Sequence, residues 1–254
     1  MLALERQKKI LEILESEGAV SVAKLSTLFE VAEETVRRDL EKLEKQESLT
    51  RTYGGAVLVS ESTNDLSLEK RKKINVESKE HLAQKAAEFI SQGDTIFLDA
   101  STTTFCMAKI IKKIPNITVI TNSIRIIEEL SGCENIKLIG IGGIVSNNQS
   151  FVGGVAENTI DSCYFASKFF FSSKGVTSNA GILESNEDEC AIKQKMIDNS
   201  KLRFYLCDKS KLNRVGFVKL AGFDKINYFV TDAELDSSYQ ELFDEYNVET
   251  VRTR

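Results

Sequence analysis

The 254-residue chain has one proline, one histidine and no tryptophan. With 14 glycines beside that proline, a collagen-like or low-complexity chain is excluded. His81 alone cannot make a histidine-rich metal site, and any triad that needs a histidine must use it. It lies in a lysine- and glutamate-rich helical stretch, which predicts a surface side chain. The five cysteines, Cys106, Cys133, Cys163, Cys190 and Cys207, are widely spaced and form no C-x-x-C pair. That pattern argues against a disulfide framework or a zinc site and predicts buried free thiols. No apolar run approaches the ~18 residues that span a bilayer. Met1–Lys9 lacks the apolar core of a signal peptide. A cytoplasmic protein is expected, with no membrane partner, metal or cofactor. An excess of positive charge is missing too. The net charge is -5, and residues 1–56 hold nine Lys/Arg against eleven Asp/Glu, a balance of -2. Any contact with nucleic acid must come from a local cluster, not from a broadly basic surface.

Three short helices and a hairpin are predicted at the N-terminus. Glu5–Glu17 carries Ile10, Ile13 and Leu14 on one face, with Gly18 as a stop and Ala19-Val20 as a connector. Ser21 is an N-cap for a helix whose Val22, Leu25, Leu28 and Phe29 share a stripe. Glu30-Val31-Ala32 turns into a third helix, Glu33–Lys45, with Val36, Leu40 and Leu43 inward. Leu49–Tyr53 alternates like a strand, Gly54-Gly55 turns, and Ala56–Val59 returns. Residues 59–78 lack apolar period and read as a linker, with a short helical piece around Leu66–Lys73. From Lys79 on, apolar strands alternate with amphipathic helices. The strands lie at Thr95–Leu98, Ile117–Ile120, Ile136–Ile139, Phe169–Phe171, Phe204–Leu206, Tyr228–Val230 and Val248–Val251. Such alternation predicts an α/β domain whose parallel or mostly parallel sheet is covered on both faces. The boundaries are 1–58, 59–78 and 79–254.

On the third helix the inward set leaves Glu34, Thr35, Arg37, Arg38 and Glu41 facing out. Arginine forks suit guanine edges and phosphates alike, and Thr35 suits a phosphate or a thymine methyl. Arg51 and Tyr53 on the hairpin are placed to grip the adjacent backbone. A solvated helix face is the bland reading of Arg37-Arg38. Three helices of these lengths followed by a hairpin favour a DNA-reading head.

In the second domain, Asp99-Ala100-Ser101-Thr102-Thr103-Thr104 follows a buried strand and opens a helix. A hydroxyl-rich turn at a helix N-terminus suits an anion, phosphate above all. Ser101 also reads as a plain N-cap. Thr121-Asn122-Ser123 and Gly140-Ile141-Gly142-Gly143 follow the next two strands. Three polar turns beyond successive strand ends favour a ligand site there.

The run Glu5-Arg6, Ile10, Leu14, Gly18, Val20, Leu25, Phe29, Val31, Thr35-Val36-Arg37-Arg38-Asp39-Leu40, Leu43, Leu49, Arg51 and Gly54-Gly55-Ala56 resembles the N-terminal domain of the DeoR-type bacterial repressors. Gly93–Thr103, Thr121-Asn122-Ser123, the Gly142-Gly143 pair, Asp208-Lys209-Ser210-Lys211 and Thr231-Asp232 resemble that family's C-terminal domain. The resemblance covers nearly the whole chain. It implies a winged helix-turn-helix followed by an α/β sensor domain related to ribose-5-phosphate isomerase. It further implies binding to operator DNA and control by a phosphorylated sugar or similar metabolite. The DNA contacts it points to are Ser21, Glu34, Thr35, Arg37, Arg38, Arg51 and Tyr53. The effector contacts are Asp99, Ser101, Thr102, Thr103, Thr104, Asn122, Ser123, Gly142, Gly143, Lys174, Asp208 and Lys211. Four departures stand out. Ala32 replaces the serine that usually caps the reading helix, and Glu47-Ser48 replaces a glycine before the wing. Ser101 replaces a glycine in the phosphate loop, and Ser167 replaces an aspartate in a region where Lys174 brings a positive charge near the strand end.

An isomerase with an attached DNA-binding domain is the rival reading. Aldose–ketose isomerisation needs a carboxylate base and a group that polarises the carbonyl. The turn Ser172-Ser173-Lys174-Gly175 holds no carboxylate, which favours binding over catalysis. An interaction module that no longer reads DNA is the second rival. Two-fold operators need paired reading heads, so a homodimer or tetramer is expected.

Overall fold

The helical periodicity of the N-terminal region takes shape as α1 (Ala3–Glu17), α2 (Val22–Phe29) and α3 (Glu33–Lys45). Three short strands join them: β1 (Ala19–Ser21), β2 (Leu49–Thr52) and β3 (Gly55–Leu58). The computed structural model describes residues 3–17, 19–45, 49–52, 54–58 and 68–253. The expectations at Gly18, Tyr53 and residues 59–67 lie outside them. The chain divides into two units, residues 1–65 and 66–254.

Ile10, Leu14, Leu25, Phe29, Val36, Leu40 and Leu43 meet in the core of the first unit. Leu28 is not among them. It is 56% exposed, one residue off the buried stripe of Val22, Leu25 and Phe29. The Ala19-Val20 connector is also corrected, since it is strand β1, paired antiparallel with β3 in the order β1-β3-β2. Gly55 does more than turn the chain. A Cβ there would lie 1.9 Å from the Val20 carbonyl oxygen, so only glycine lets β3 approach β1 this closely.

The second unit starts earlier than its apolar strands suggest. Within the expected linker, the short helical piece around Leu66–Lys73 is α4 (Leu68–Lys73), and residues 76–78 are the first turn of α5 (Val76–Ala87) rather than linker. Polar contacts, rather than an apolar stripe, hold this turn, so periodicity does not reveal it. There follow β4 (Thr95–Leu98), α6 (Thr102–Ile111), β5 (Ile117–Thr121), α7 (Ile124–Leu130), β6 (Ile136–Gly140), β7 (Ile144–Val145), β8 (Phe151–Val152), α8 (Gly154–Cys163) and β9 (Ala166–Phe171). Then come β10 (Gly175–Thr177), β11 (Gly181–Glu184), α9 (Glu187–Asp198), β12 (Ser200–Cys207), β13 (Val218–Ala221), β14 (Tyr228–Thr231), α10 (Ser237–Tyr246) and β15 (Glu249–Arg252).

Seven strands form one sheet in the order β15-β14-β12-β9-β4-β5-β6, and every pairing in it is parallel. Side chains of α5, α6 and α7 share a buried cluster on one face, and those of α8, α9 and α10 share one on the other. Coverage of both faces explains why Phe169, Phe170 and Phe171 are all fully buried in succession. Phe204 stacks between Phe170 and Tyr228 across β9, β12 and β14, at centroid distances of 4.6 and 4.4 Å. An antiparallel sheet, β10-β11-β13, and a β7-β8 hairpin sit outside the alternating pattern and are not evident from it. Only Cys190 and Cys207 are buried; Cys106 and Cys133 are partly exposed and Cys163 is exposed, which corrects the expectation of five buried thiols.

Candidate functional site

In the first unit, the sequence of α3 is split by burial. Val36, Asp39, Leu40 and Leu43 are buried, whereas Glu34, Arg37 and Arg38 are exposed and Thr35 is half-buried. Asp39 accepts from Arg6 Nε at 2.5 Å and from Gln7 Nε2 at 2.8 Å, which ties α3 to α1 and sets the angle at which its outer face is offered. Arg37 pairs with Glu33 at 3.0 Å and Arg38 with Glu34 at 3.5 Å, both one helical turn away. Exposed pairs of this kind are worth about 0.3–0.5 kcal/mol, so a phosphate can displace either glutamate at small cost. Ser21 caps α2, its hydroxyl accepting from Lys24 N at 3.2 Å. Arg51 lies on β2 opposite Ala56 of β3. Before α3 the Ala32 carbonyl accepts from Thr35 N, but alanine offers no side-chain cap.

The second unit has a topological switch. From β4 the strand order runs outward to β5 and β6; from β9 it runs the other way to β12, β14 and β15. Connections leave opposite faces at such a point and open a crevice beyond the strand ends. Asp99 and Ser172 follow the two strands that flank it. They are joined across it, Asp99 Oδ2 accepting from Ser172 N at 3.1 Å. Asp99 Oδ1 accepts from Ser101 N at 3.1 Å and from Thr104 Oγ1 at 2.8 Å, which shapes the turn into α6. Ser101 and Ser123 cap α6 and α7. Thr102, Thr103 and Thr104 are buried. Thr103 Oγ1 and Asn122 Oδ1 are buried without a hydrogen-bond partner, polar capacity that a ligand can use. Asn122 also holds β8, its Nδ2 donating to Phe151 O at 3.0 Å. Gly142 and Gly143 are exposed. A Cβ on Gly143 would lie 2.7 Å from Val152 O, so this glycine serves close packing of the β7-β8 hairpin. Lys174 is half-buried and its N–H donates to Leu183 O at 3.1 Å.

Two buried lysines that the sequence reading did not single out, Lys193 and Lys79, join the expected Asp208 and Lys211 at the crevice. Lys193 is buried between Asp99 Oδ2 at 3.1 Å and Glu184 Oε2 at 2.6 Å, and donates to Ser172 O at 2.8 Å. Burial opposes its charge, but Glu184 and Asp99 outweigh that and hold the ammonium well above its ordinary range. Lys211 donates to Ser172 Oγ at 2.5 Å and lies 3.9 Å from Asp208. Burial opposes ionisation of Asp208, yet Lys211 and hydrogen bonds from Ser210 hold its carboxyl below the usual value. Lys79 is buried, and burial together with the charge of Lys211 lowers its ammonium to about 8. A signal for two of these was present. Lys79 shares a stripe with Leu82, Ala83 and Ala86, and Lys193 shares one with Cys190, Met196 and Ile197. A lysine on an apolar stripe is a buried charge that needs a partner.

Comparison with known proteins places both units. Residues 6–62 match the family model for a DeoR-like helix-turn-helix domain, and residues 74–233 match the DeoR C terminal sensor domain. A Bacillus subtilis protein named as the uncharacterized HTH-type transcriptional regulator YulB is 39% identical over 252 residues, 99% of this chain and 97% of that protein. The L-fucose operon activator of Haemophilus influenzae is 35% identical over 249 residues, 97% of this chain and 98% of that protein. Among solved structures, ribose 5-phosphate isomerase A from Methanocaldococcus jannaschii aligns with 54% of this chain and 55% of its own at a TM-score of 0.41 and 15% identity, a likeness too slight to carry argument. No helix among the described residues is long and apolar enough to cross a membrane.

Proposed function

Because the chain belongs to the DeoR family of transcriptional regulators, we propose that it is a cytoplasmic repressor of a sugar-metabolism operon, controlled by a phosphorylated sugar. Double-stranded operator DNA is read by α3 and the β2-β3 hairpin, with Thr35, Arg37 and Arg38 toward the groove, Arg51 and Tyr53 on the flanking backbone, and Ser21 and Glu34 at the margin. A head seated on a promoter occludes it without further parts, so repression is the simplest outcome, although the Haemophilus influenzae relative is named as an activator. The assembly that binds is a homo-oligomer, because a two-fold operator needs two heads.

The observation that carries the effector reading is the switch between β4 and β9. Asp99 bridges it, Thr103 Oγ1 and Asn122 Oδ1 stand unpartnered beside it, and Lys79 and Lys211 supply positive charge. Ser101, Thr102, Thr103 and Ser123 are placed for the phosphate, and Lys211, Asp208, Lys174 and the Gly142-Gly143 turn for its surroundings. Asp99 and Thr104 shape the loop. The chain is read as a binder, not an enzyme, because Asp99 and Glu184 are committed to Lys193 and neither is free to act as a general base.

The test is a thermal-shift screen of the full chain against matched pairs of sugars and sugar phosphates. A ligand at 100 times its Kd stabilises by about 2.7 kcal/mol, so a phosphorylated member should raise the midpoint by several degrees while its unphosphorylated partner does not. The same compound should change affinity for the operator. Turnover of ribose 5-phosphate, or no shift with any sugar phosphate, counts against the reading.

A further inference from the structure

Residues 138–156 are the longest stretch of the chain without a charged side chain, 19 residues where the chain as a whole is 28% charged. They run from β6 through the β7-β8 hairpin into α8. Ser146, Asn148 and Ser150 turn inward. Ser146 Oγ donates to Glu189 Oε1 of α9 at 3.0 Å, Asn148 Nδ2 at 3.4 Å, and Ser150 Oγ donates to the same oxygen. Phe151 N donates to Asn122 O at 2.8 Å and Ile124 N to Gln149 O at 3.0 Å, which ties the hairpin to the turn after β5. The apolar side chains turn outward. Ile144, Val145 and Val155 are 69%, 58% and 69% exposed. Ile144 overlies Gly153, where a Cβ would lie 3.3 Å from Ile144 Cδ1, so the hairpin and the start of α8 present one surface. Beside it, Gly154 has nothing within 4 Å of where a Cβ would lie and no positive φ. Neither packing nor backbone conformation within the subunit therefore requires glycine there, and the open space lets a second backbone approach closely.

An apolar surface free of charge has the composition of an interface core. Its neutrality also says what it fits. At a two-fold axis each side chain meets its own copy, so a charge beside the patch would face a like charge. The exposed Val215 and Phe217 lie between Arg214 and Lys219, and Ile74 and Val76 between Lys73 and Glu77, so neither pair suits self-association. Residues 138–156 meet no such conflict, in a molecule whose net charge of -5 makes copies repel elsewhere. The same neutrality gives a nucleic-acid backbone or an anionic membrane surface nothing to pair with.

We propose that the β7-β8 hairpin and the start of α8 pair with the same surface of a second copy of this chain, Ile144 and Val145 meeting their counterparts across a two-fold axis with Val155 beside them. The inference rests on the reading above that the chain binds its operator as a homo-oligomer, and it names the surface. The contact sets apolar side chains against apolar side chains and brings no like charges together. Glu189 and Asn122 already fix the hairpin, so pairing orders little that was free.

Sedimentation velocity of the full chain over a concentration series tests this. The parent should sediment as a dimer or larger. Ile144→Asp and Val155→Asp each place two like charges in one contact and should raise its dissociation constant at least about a hundredfold. Both positions are exposed, and an acidic residue in the first turn of α8 suits the helix dipole, so the fold is kept, which circular dichroism checks. An equimolar mixture of Ile144→Asp and Ile144→Lys chains should pair again, because opposite charges then face each other across the axis. Phe217→Asp changes an exposed apolar side chain elsewhere and should pair as the parent does. A parent that stays monomeric at every concentration overturns both the surface and the homo-oligomer reading. Hairpin variants that pair as tightly as the parent overturn the surface and leave the homo-oligomer reading standing. A mixture that stays apart, or a Phe217→Asp chain that dissociates, overturns the surface as well.

Discussion

Asp39 sits inside the Thr35–Leu40 segment yet does not face outward. Its carboxylate is buried and spans from α3 to Arg6 and Gln7 of α1. The arginines beside it keep their exposure because this residue fixes the helix. Removing one partner of a buried pair is far costlier than its surface counterpart, since the remaining charge stays out of water. Asp39→Ala should destabilise the first unit by about 3 kcal/mol, whereas Glu34→Ala should cost under about 0.5 kcal/mol. Amide exchange of α1 and α3 measures both directly. Replacing Arg6 and Asp39 together by leucine should recover most of the loss, because no charge is then stranded. Equal costs for the Asp39 and Glu34 variants would show that the pair does not organise the head.

At the scale of elements, α3 starts without a side-chain cap. Ala32 offers only its carbonyl, while Glu33 and Glu34 place negative charge in the first turn, which favours the helix dipole. Ala32→Ser should add about 1 kcal/mol, a rise of roughly 4–8 °C in the midpoint of a domain this small. No rise would mean that the dipole already supplies what a cap would. The same elements show what a sequence reveals and what it hides. The helices of the head and the strands of the sheet are legible because Leu14, Val36 or Phe97 repeat with the period of the element that buries them. The turns after β4 and β5 are legible because hydroxyls cluster where apolar runs end. The bend between α4 and α5 is hidden, because Asn75, Ser78 and Lys79 are fastened by residues more than a hundred positions away or by carbonyls. β1 is hidden for another reason. Three residues carry no period, and its partner is set by Gly55 rather than by any pattern of its own. Buried charges fall between the two cases. Lys193 is visible as a lysine on an apolar stripe, but its partners Asp99 and Glu184 are brought to it only by the sheet.

For the molecule as a whole, charge decides how DNA binding must be built. The net charge of -5 and the acidic balance of the first fifty-six residues leave no long-range attraction to a polyanion. At physiological salt the field beyond about 8 Å is screened in any case. Affinity must therefore come from a few direct contacts, and one head with two outward arginines supplies few. Two heads double that number, and salt dependence counts them. Each phosphate contact contributes about 0.9 to the slope of log K against log salt. If Arg38 grips one phosphate in each head, Arg38→Ala should flatten the slope by about 1.8 when a pair binds and by about 0.9 when a single head binds. A titration of the full chain on its operator between about 50 and 200 mM salt separates the two. Breaking the Arg38–Glu34 pair costs too little to blur the comparison. A flattening near 1.8 supports paired heads, one near 0.9 a single head, and no change would remove Arg38 from the reading face.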